Sequence, residues 1–162
     1  MNMDKKTIYI VVIIAVLLVA AIALSSKKVR QTFPSWFSAK NTQQIPKVTK
    51  VEVPKSQAPA GFPSDLPIEK GAVLTQNFEA DTSVGQHQAT RQFESKKTVS
   101  ENYALYADYF KTSGWTVLAK SPGDTLSTIA AKKGEGSLTV NISKDPAGKK
   151  VTVDLSFVTK KK

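Results

Sequence analysis

The 162-residue chain contains no cysteine and only one histidine, His87. Without cysteine there can be no disulfide, no thiolate ligand for a metal, no cysteine nucleophile and no lipid-bearing cysteine. A single histidine does not supply the ligands of a structural zinc site. We therefore expect neither a metal nor another cofactor. No sequence motif typical of a catalytic centre is present, so we expect a protein that is not an enzyme.

Acidic residues are scarce in residues 1–60, which hold nine lysines and arginines against Asp4 and Glu52. Residues 61–159, in contrast, contain eleven basic and eleven acidic side chains, and residues 160–162 are all lysine. A domain that binds nucleic acid is expected to carry a basic stripe on its own surface. The neutral balance of the C-terminal part therefore argues against nucleic acid as a partner. Residues 159–162 form a short basic tail.

Charged residues are missing altogether between residues 8 and 24, where the sequence is continuously apolar. With its neighbours, as residues 7–26, this run reaches the ~30 Å that a helix needs to cross a bilayer. It predicts a single-pass transmembrane signal-anchor after a short basic tail of residues 1–6. Lys5, Lys6 and the sequence Ala21-Ile22-Ala23 would also fit a cleaved signal peptide. The length of the apolar run favours the retained anchor.

The sequence of residues 27–60 predicts a basic, proline-containing linker, because no helical or strand-like spacing of apolar residues continues through it. One local exception is the spacing of Val48, Val51 and Val53, which would fit a short strand docked on the following domain. Next to the apolar run, basic and aromatic side chains occur together as at a membrane interface: Lys27, Lys28, Arg30, Phe33, Trp36 and Phe37. A plain spacer is the alternative interpretation of this stretch.

The side of the membrane on which the domain lies follows from two opposing signals. The positive-inside rule compares Lys5 and Lys6 with Lys27, Lys28 and Arg30, and taken alone it favours a cytoplasmic domain. The long proline-containing linker and the short basic head before the apolar run favour the opposite orientation. We expect a membrane protein with its domain outside the cytoplasm.

Residues 61–158 predict one α+β domain. Strand-like segments are separated by turn sequences such as Gly134-Glu135-Gly136 and Asp145-Pro146-Ala147-Gly148. Thr98-Val99-Ser100-Glu101 fits a capping box at the start of an amphipathic helix, which Gly114 is placed to end. The expected fold is an antiparallel sheet of about six strands in the order β-β-α-β-β-β-β. The helix is expected to pack on one face of this sheet.

Short motifs of this domain resemble those of small domains on membrane-anchored or lipid-anchored bacterial envelope proteins of unknown function. They are Phe62-Pro63-Ser64-Asp65-Leu66-Pro67-Ile68 with Gly71-Ala72, a helix that carries Tyr109, and Gly114-Trp115 leading into a strand. The resemblance covers residues 61–158 and implies an α+β envelope domain. Because the motifs are structural, the resemblance implies no catalytic residue. This chain lacks the cysteine of the lipid-anchored members and would be held by its helix.

The predicted function is a membrane-tethered envelope domain that binds or scaffolds an envelope protein or a cell-wall polymer. A wholly polar row on the second strand of the domain is the possible binding face: Gln86, Gln88, Thr90 and Gln92. One alternative is an envelope hydrolase with paired carboxylates drawn from Asp65, Glu69, Glu79, Asp81 and Glu94. Another is a cytoplasmic domain docked on the inner leaflet through its linker. The sequence identifies neither the ligand nor the oligomeric state.

Overall fold

The computed structural model of the protein describes residues 47–161, which lie within the compact unit Gln44–Lys162. The predicted anchor, the six predicted membrane-interface residues and most of the predicted linker lie outside the described residues. Within residues 47–161, no helix is long and apolar enough to cross a membrane. The elements in chain order are β1 Val48–Glu52, β2 Val73–Thr82, β3 Gln86–Ser95, α1 Val99–Thr112, β4 Thr116–Ser121, β5 Leu126–Lys133, β6 Gly136–Lys144 and β7 Val151–Lys160.

The seven strands form one antiparallel sheet in the order β1-β2-β3-β7-β6-β5-β4. The α+β class, the antiparallel sheet and the single helix of this domain are thereby confirmed, but the sheet has seven strands rather than about six. The extra strand is β1, which lies inside the predicted linker of residues 27–60 and pairs with β2. The sheet therefore starts at Val48, and β7 is its central strand.

Helix α1 connects β3, near the middle of the sheet, to β4 at one edge. The predicted capping box is present at its start. The backbone N–H of Glu101 donates to Thr98 Oγ1 at 3.2 Å, and the backbone N–H of Thr98 donates to Glu101 Oε2 at 2.7 Å. Gly114 follows the helix with φ +74°, a left-handed conformation that glycine adopts without a steric cost. Both predicted helix boundaries are confirmed.

The core lies on one side of the sheet and is closed by two elements. Buried side chains of α1 pack there on apolar side chains of the central strands; this core includes Phe93, Val99, Tyr106, Phe110, Ile129, Leu138, Val140, Ile142, Val153 and Leu155. Residues 53–72, here called the leading loop, add Phe62 and Leu66 to the same core. The Tyr106 hydroxyl donates to Pro67 O at 2.7 Å and so fixes the helix to the leading loop.

Side chains alternate between the two faces of a strand, and this alternation divides the sheet into two chemically different sides. The face on which α1 and the leading loop pack is here called the covered face. The opposite face, called the open face, has no helix or strand of residues 47–161 packed on it. The open face is mostly polar, and it contains the row that the sequence predicts as a binding face.

Candidate binding face

The open face is built from alternate positions of neighbouring strands. It includes some apolar side chains, those of Phe78, Ala80, Ala130 and Val158, but most side chains near its centre are polar and uncharged. They come from β2, β3, β7, β6 and β5: Gln76, Gln88, Gln92, Thr152, Ser156, Thr139, Asn141, Ser143 and Thr128. Charged side chains occur towards its margins, where Lys150 Nζ lies 2.8 Å from Glu94 Oε1 and Lys160 Nζ lies 2.9 Å from Glu135 Oε1. The middle of the face contains one charged residue, Asp154.

The structure places all four predicted binding residues on this face, as the alternation of the sequence requires. Gln86, Gln88 and Gln92 are partly exposed, but Thr90 is only 2 % exposed. The side chain of Gln88 covers it, because Gln88 Nε2 donates to Thr90 Oγ1 and to Ser156 Oγ, both at 3.0 Å. Three glutamines are thus available to a ligand, while Thr90 supports one of them. A binding role for this row stays a prediction.

A line of polar side chains crosses the open face through Asp154. On one side, Thr75 Oγ1 donates to Gln92 Oε1 at 2.8 Å, and Gln92 Nε2 donates to Asp154 Oδ2 at 3.4 Å. On the other side, Asn141 lies directly opposite Asp154 in the pairing of β6 with β7. Asn141 Oδ1 accepts from Thr128 Oγ1 at 2.9 Å. The line reaches from β2 to β5, and the carboxyl is at its centre.

Asp154 is the acidic residue of this face with the most perturbed environment. Burial raises the pKa of its carboxyl to about 6, although the hydrogen bond from Gln92 acts in the opposite direction. Within residues 47–161 Asp154 forms no ion pair. The carboxyl therefore changes charge near neutral pH instead of being held ionised by a cation.

Sequence reasoning missed Asp154, Asn141 and Thr128. One signal is present in the sequence, since a charged residue interrupts the uncharged polar positions of β7, Thr152 and Ser156. Aspartate is depleted in strands, so its place inside one marks an unusual position. Its neighbours Gln92 and Asn141 are known only from the pairing of β7 between β3 and β6.

Four of the five carboxylates proposed for the hydrolase alternative make structural contacts. Glu69 Oε2 accepts from Ser95 Oγ at 2.6 Å and from the backbone N–H of Lys96 at 3.1 Å. The hydrogen bond from Ser95 is the main reason that the pKa of Glu69 is lowered. Glu79 accepts from the backbone N–H of Ala60 at 2.8 Å, Asp81 bonds His87 and Lys161, and Glu94 bonds Lys150.

His87 connects the leading loop to the hairpin of β2 and β3. Its Nδ1 lies 2.8 Å from Asp81 Oδ1 and its Nε2 lies 2.9 Å from Ala60 O. Burial lowers the pKa of His87, but the hydrogen bonds to Asp81 and Ala60 and the nearby carboxylate charges raise it further, so the net direction is upward. Both ring nitrogens face acceptors, which is the arrangement that suits the doubly protonated ring. His87 thus has a structural role.

A second surface feature is an open groove of about 530 Å³ near the start of α1. Its basic lining residues are Lys96, Lys97, Lys144, Lys149 and Lys150. Acidic groups offset them, because Glu94 and Asp124 also line the groove and Lys150 is bonded to Glu94. Glu69 lies beside Lys96 and Lys97. The groove is therefore less basic than its lysine count indicates.

Comparison with known families gives one match. The sequence model of a family described as START domain-like matches residues 74–150, which run from β2 to the turn between β6 and β7. No curated protein and no solved structure matches the chain. The family match indicates a domain of the ligand-binding type, which is compatible with the predicted binding domain of unknown ligand.

Proposed function

We propose that the chain is a membrane-tethered envelope protein whose C-terminal domain binds its partner on the open face. The observation that carries this proposal is the contrast between the two sides of the sheet. The covered face is closed by α1 and the leading loop, whereas the open face presents hydrogen-bonding side chains around Asp154, which forms no ion pair with another residue of 47–161. Such side chains match a partner rich in polar groups.

The interior of the domain offers no comparable place for a ligand. Large, fully buried side chains fill the space between α1 and the sheet, among them Tyr106, Phe93 and Phe110. The groove of about 530 Å³ lies outside this core, at the start of α1. A ligand of this domain therefore binds at the surface, where the centre of the open face offers mostly uncharged hydrogen-bonding groups and the groove offers many charged ones.

The tether and the location are supported by the sequence. The apolar run of residues 7–26 is long enough to serve as an anchor, and the proline-containing residues that follow it provide reach between bilayer and domain. A binding domain held in this way would keep an envelope protein or a cell-wall polymer near the membrane. The hydrolase alternative is disfavoured because four of its five acids are engaged in structural contacts.

Photocrosslinking in cells tests the use of the open face. A photoreactive amino acid is placed either at Thr139, on the open face, or at Ser100, which lines the groove. Both positions carry a small hydroxyl side chain in the natural chain, so the substitutions are matched. We expect covalent adducts with an envelope component from position 139 and few from position 100. Equal adducts from both positions, or more from position 100, would contradict the proposal.

A further inference from the structure

Asp154 lies near the centre of the open face. It is the fourth of the ten residues of β7, and this strand has three strands on each side in the sheet. Gln92 and Asn141 lie directly opposite it on the two neighbouring strands. The polar line from Thr75 to Thr128 crosses five strands, which at ~4.8 Å per strand spacing is about 19 Å. This length is suited to an extended ligand rather than to a small ion.

The local structure does not require a carboxyl group at position 154. Its single side-chain hydrogen bond within residues 47–161 comes from Gln92, and an asparagine amide oxygen could accept the same bond. A carboxylate in this position loses hydration without gaining a cation, which raises its pKa and lowers stability at neutral pH. Groups that are kept at such a cost are enriched at functional sites.

We infer that the centre of the open face binds an extended, uncharged, polyhydroxylated chain, that is, a neutral glycan, with Asp154 accepting hydrogen bonds from its hydroxyl groups. This inference rests on the proposed function and adds the chemical class of the ligand. Gln92 and Asn141 are the positioning residues, since they flank the carboxyl and carry amides that donate and accept. Thr128 and Thr75 hold these two amides in place.

Other ligand classes fit this face less well. An anionic polymer would meet a carboxyl and no free cation at the centre of the face. A bound metal ion needs several ligands, and residues 47–161 contain no group of three acidic or histidine side chains placed to hold one. An extended peptide gains affinity by pairing with the edge of a sheet, which β1 and β4 provide, and not by lying across side chains on a face. Sugar hydroxyls both donate and accept, as the amides and hydroxyls here do.

Cosedimentation of the full chain in detergent micelles with insoluble chitin and cellulose tests this inference. We expect binding to at least one of these neutral glycans and competition by soluble oligosaccharides of the same polymer. Asp154→Asn should weaken binding about tenfold or more, because a hydrogen bond to a charged acceptor is replaced by a neutral one. Asp124→Asn, which removes a carboxyl from the groove instead, should leave binding unchanged.

A stability measurement separates loss of binding from loss of folding. Asp154→Asn should raise the midpoint of urea denaturation at pH 7.5, because it removes the cost of the desolvated carboxylate. The inference is overturned if neither glycan binds the natural chain, or if Asp154→Asn binds as well as the natural chain. If the photocrosslink at position 139 then still forms and attaches a protein, the glycan assignment fails while the open face remains the binding surface.

Discussion

His87 is one of the residues whose contacts join the leading loop to the sheet. The doubly protonated ring can donate to both Asp81 and Ala60 O, whereas the neutral ring can donate to only one of them. The pKa of His87 is raised in the folded state, so protonation and folding favour each other. The stabilising contribution is complete below the unfolded-state pKa of about 6.5 and is lost as the pH rises through the folded-state value.

Because His87 is the only histidine, its titration can be followed directly by NMR of the ring protons. We expect a pKa above 6.5 in the natural chain and a lower value in Asp81→Asn, which loses the carboxylate partner. The natural chain should lose stability towards urea as the pH rises through that pKa, while His87→Gln should lack this step and keep only the loss that ionisation of Asp154 causes around pH 6. A His87 pKa at or below 6.5 would contradict the proposed stabilisation of the protonated ring by Asp81 and Ala60 O.

At the scale of elements, Asn77 attaches the segment that follows β1 to β2 by hydrogen bonds. It lies on β2, is 2 % exposed, and its Nδ2 is within hydrogen-bonding distance of Val53 O, Pro54 O and Gln57 O, at 3.1, 2.8 and 2.9 Å. Strand β1 itself is exposed along its whole length. The Asn77 side chain therefore adds to the backbone pairing of β1 with β2, and to the bond from Val53 N–H to Asn77 O at 2.9 Å, in holding the first part of the leading loop.

We expect Asn77→Ala to lower the free energy of unfolding by about 2–3 kcal/mol, because partly buried carbonyls lose their donor. It should also increase trypsin cleavage at Lys55 before global unfolding, since the segment opens locally. Thr49→Ala, on the exposed edge strand, is the matched control and should change neither quantity by much. Unchanged cleavage at Lys55 in Asn77→Ala would show that other contacts hold the segment.

The sequence predicts the elements that depend on local chemistry. Alternation in β3, β6 and β7 assigns each side chain to a face, and the capping box with Gly114 sets the helix, because these signals lie within a few residues of the chain. The order of the strands is different. β7 pairs with β3, more than 50 residues earlier in the chain, and no local sequence pattern encodes that pairing. The residues that surround Asp154 could therefore not be predicted from the sequence.

β1 lies where composition predicts a linker, although the spacing of Val48, Val51 and Val53 also fits a short docked strand, and the structure has such a strand at Val48–Glu52. Its five residues sit between prolines in a basic stretch, and all of them are exposed, so they lack the buried, alternating face of the other strands. The strand forms because β2 offers an unpaired edge and Asn77 holds the residues that follow. Lys50 also extends over the Phe78 ring, 4.1 Å from its centroid, which covers an apolar side chain of the open face.

For the whole molecule, we propose an anchor, a linker and a domain that presents one polar face. The charges fit this division only in part. Residues 61–159 are neutral, but the folded residues 47–161 contain sixteen basic and twelve acidic side chains, because β1 and the end of β7 bring lysines into the domain. The uncharged polar side chains around Asp154 suit a partner that is recognised by hydrogen bonds. Such bonds contribute about 0.5–1.5 kcal/mol each, so a repetitive partner held close to the membrane would benefit most.

The most direct test is the rate of labelling of single cysteines by a membrane-impermeant maleimide, which the cysteine-free chain allows. Lys149→Cys lies in the exposed turn between β6 and β7, and Thr139→Cys lies on the open face. We predict that in intact cells Lys149→Cys reacts as fast as in the purified protein, whereas Thr139→Cys reacts several-fold more slowly than in the purified protein. Equal rates for Thr139→Cys in cells and in purified protein, or no labelling of either residue before lysis, would contradict the account.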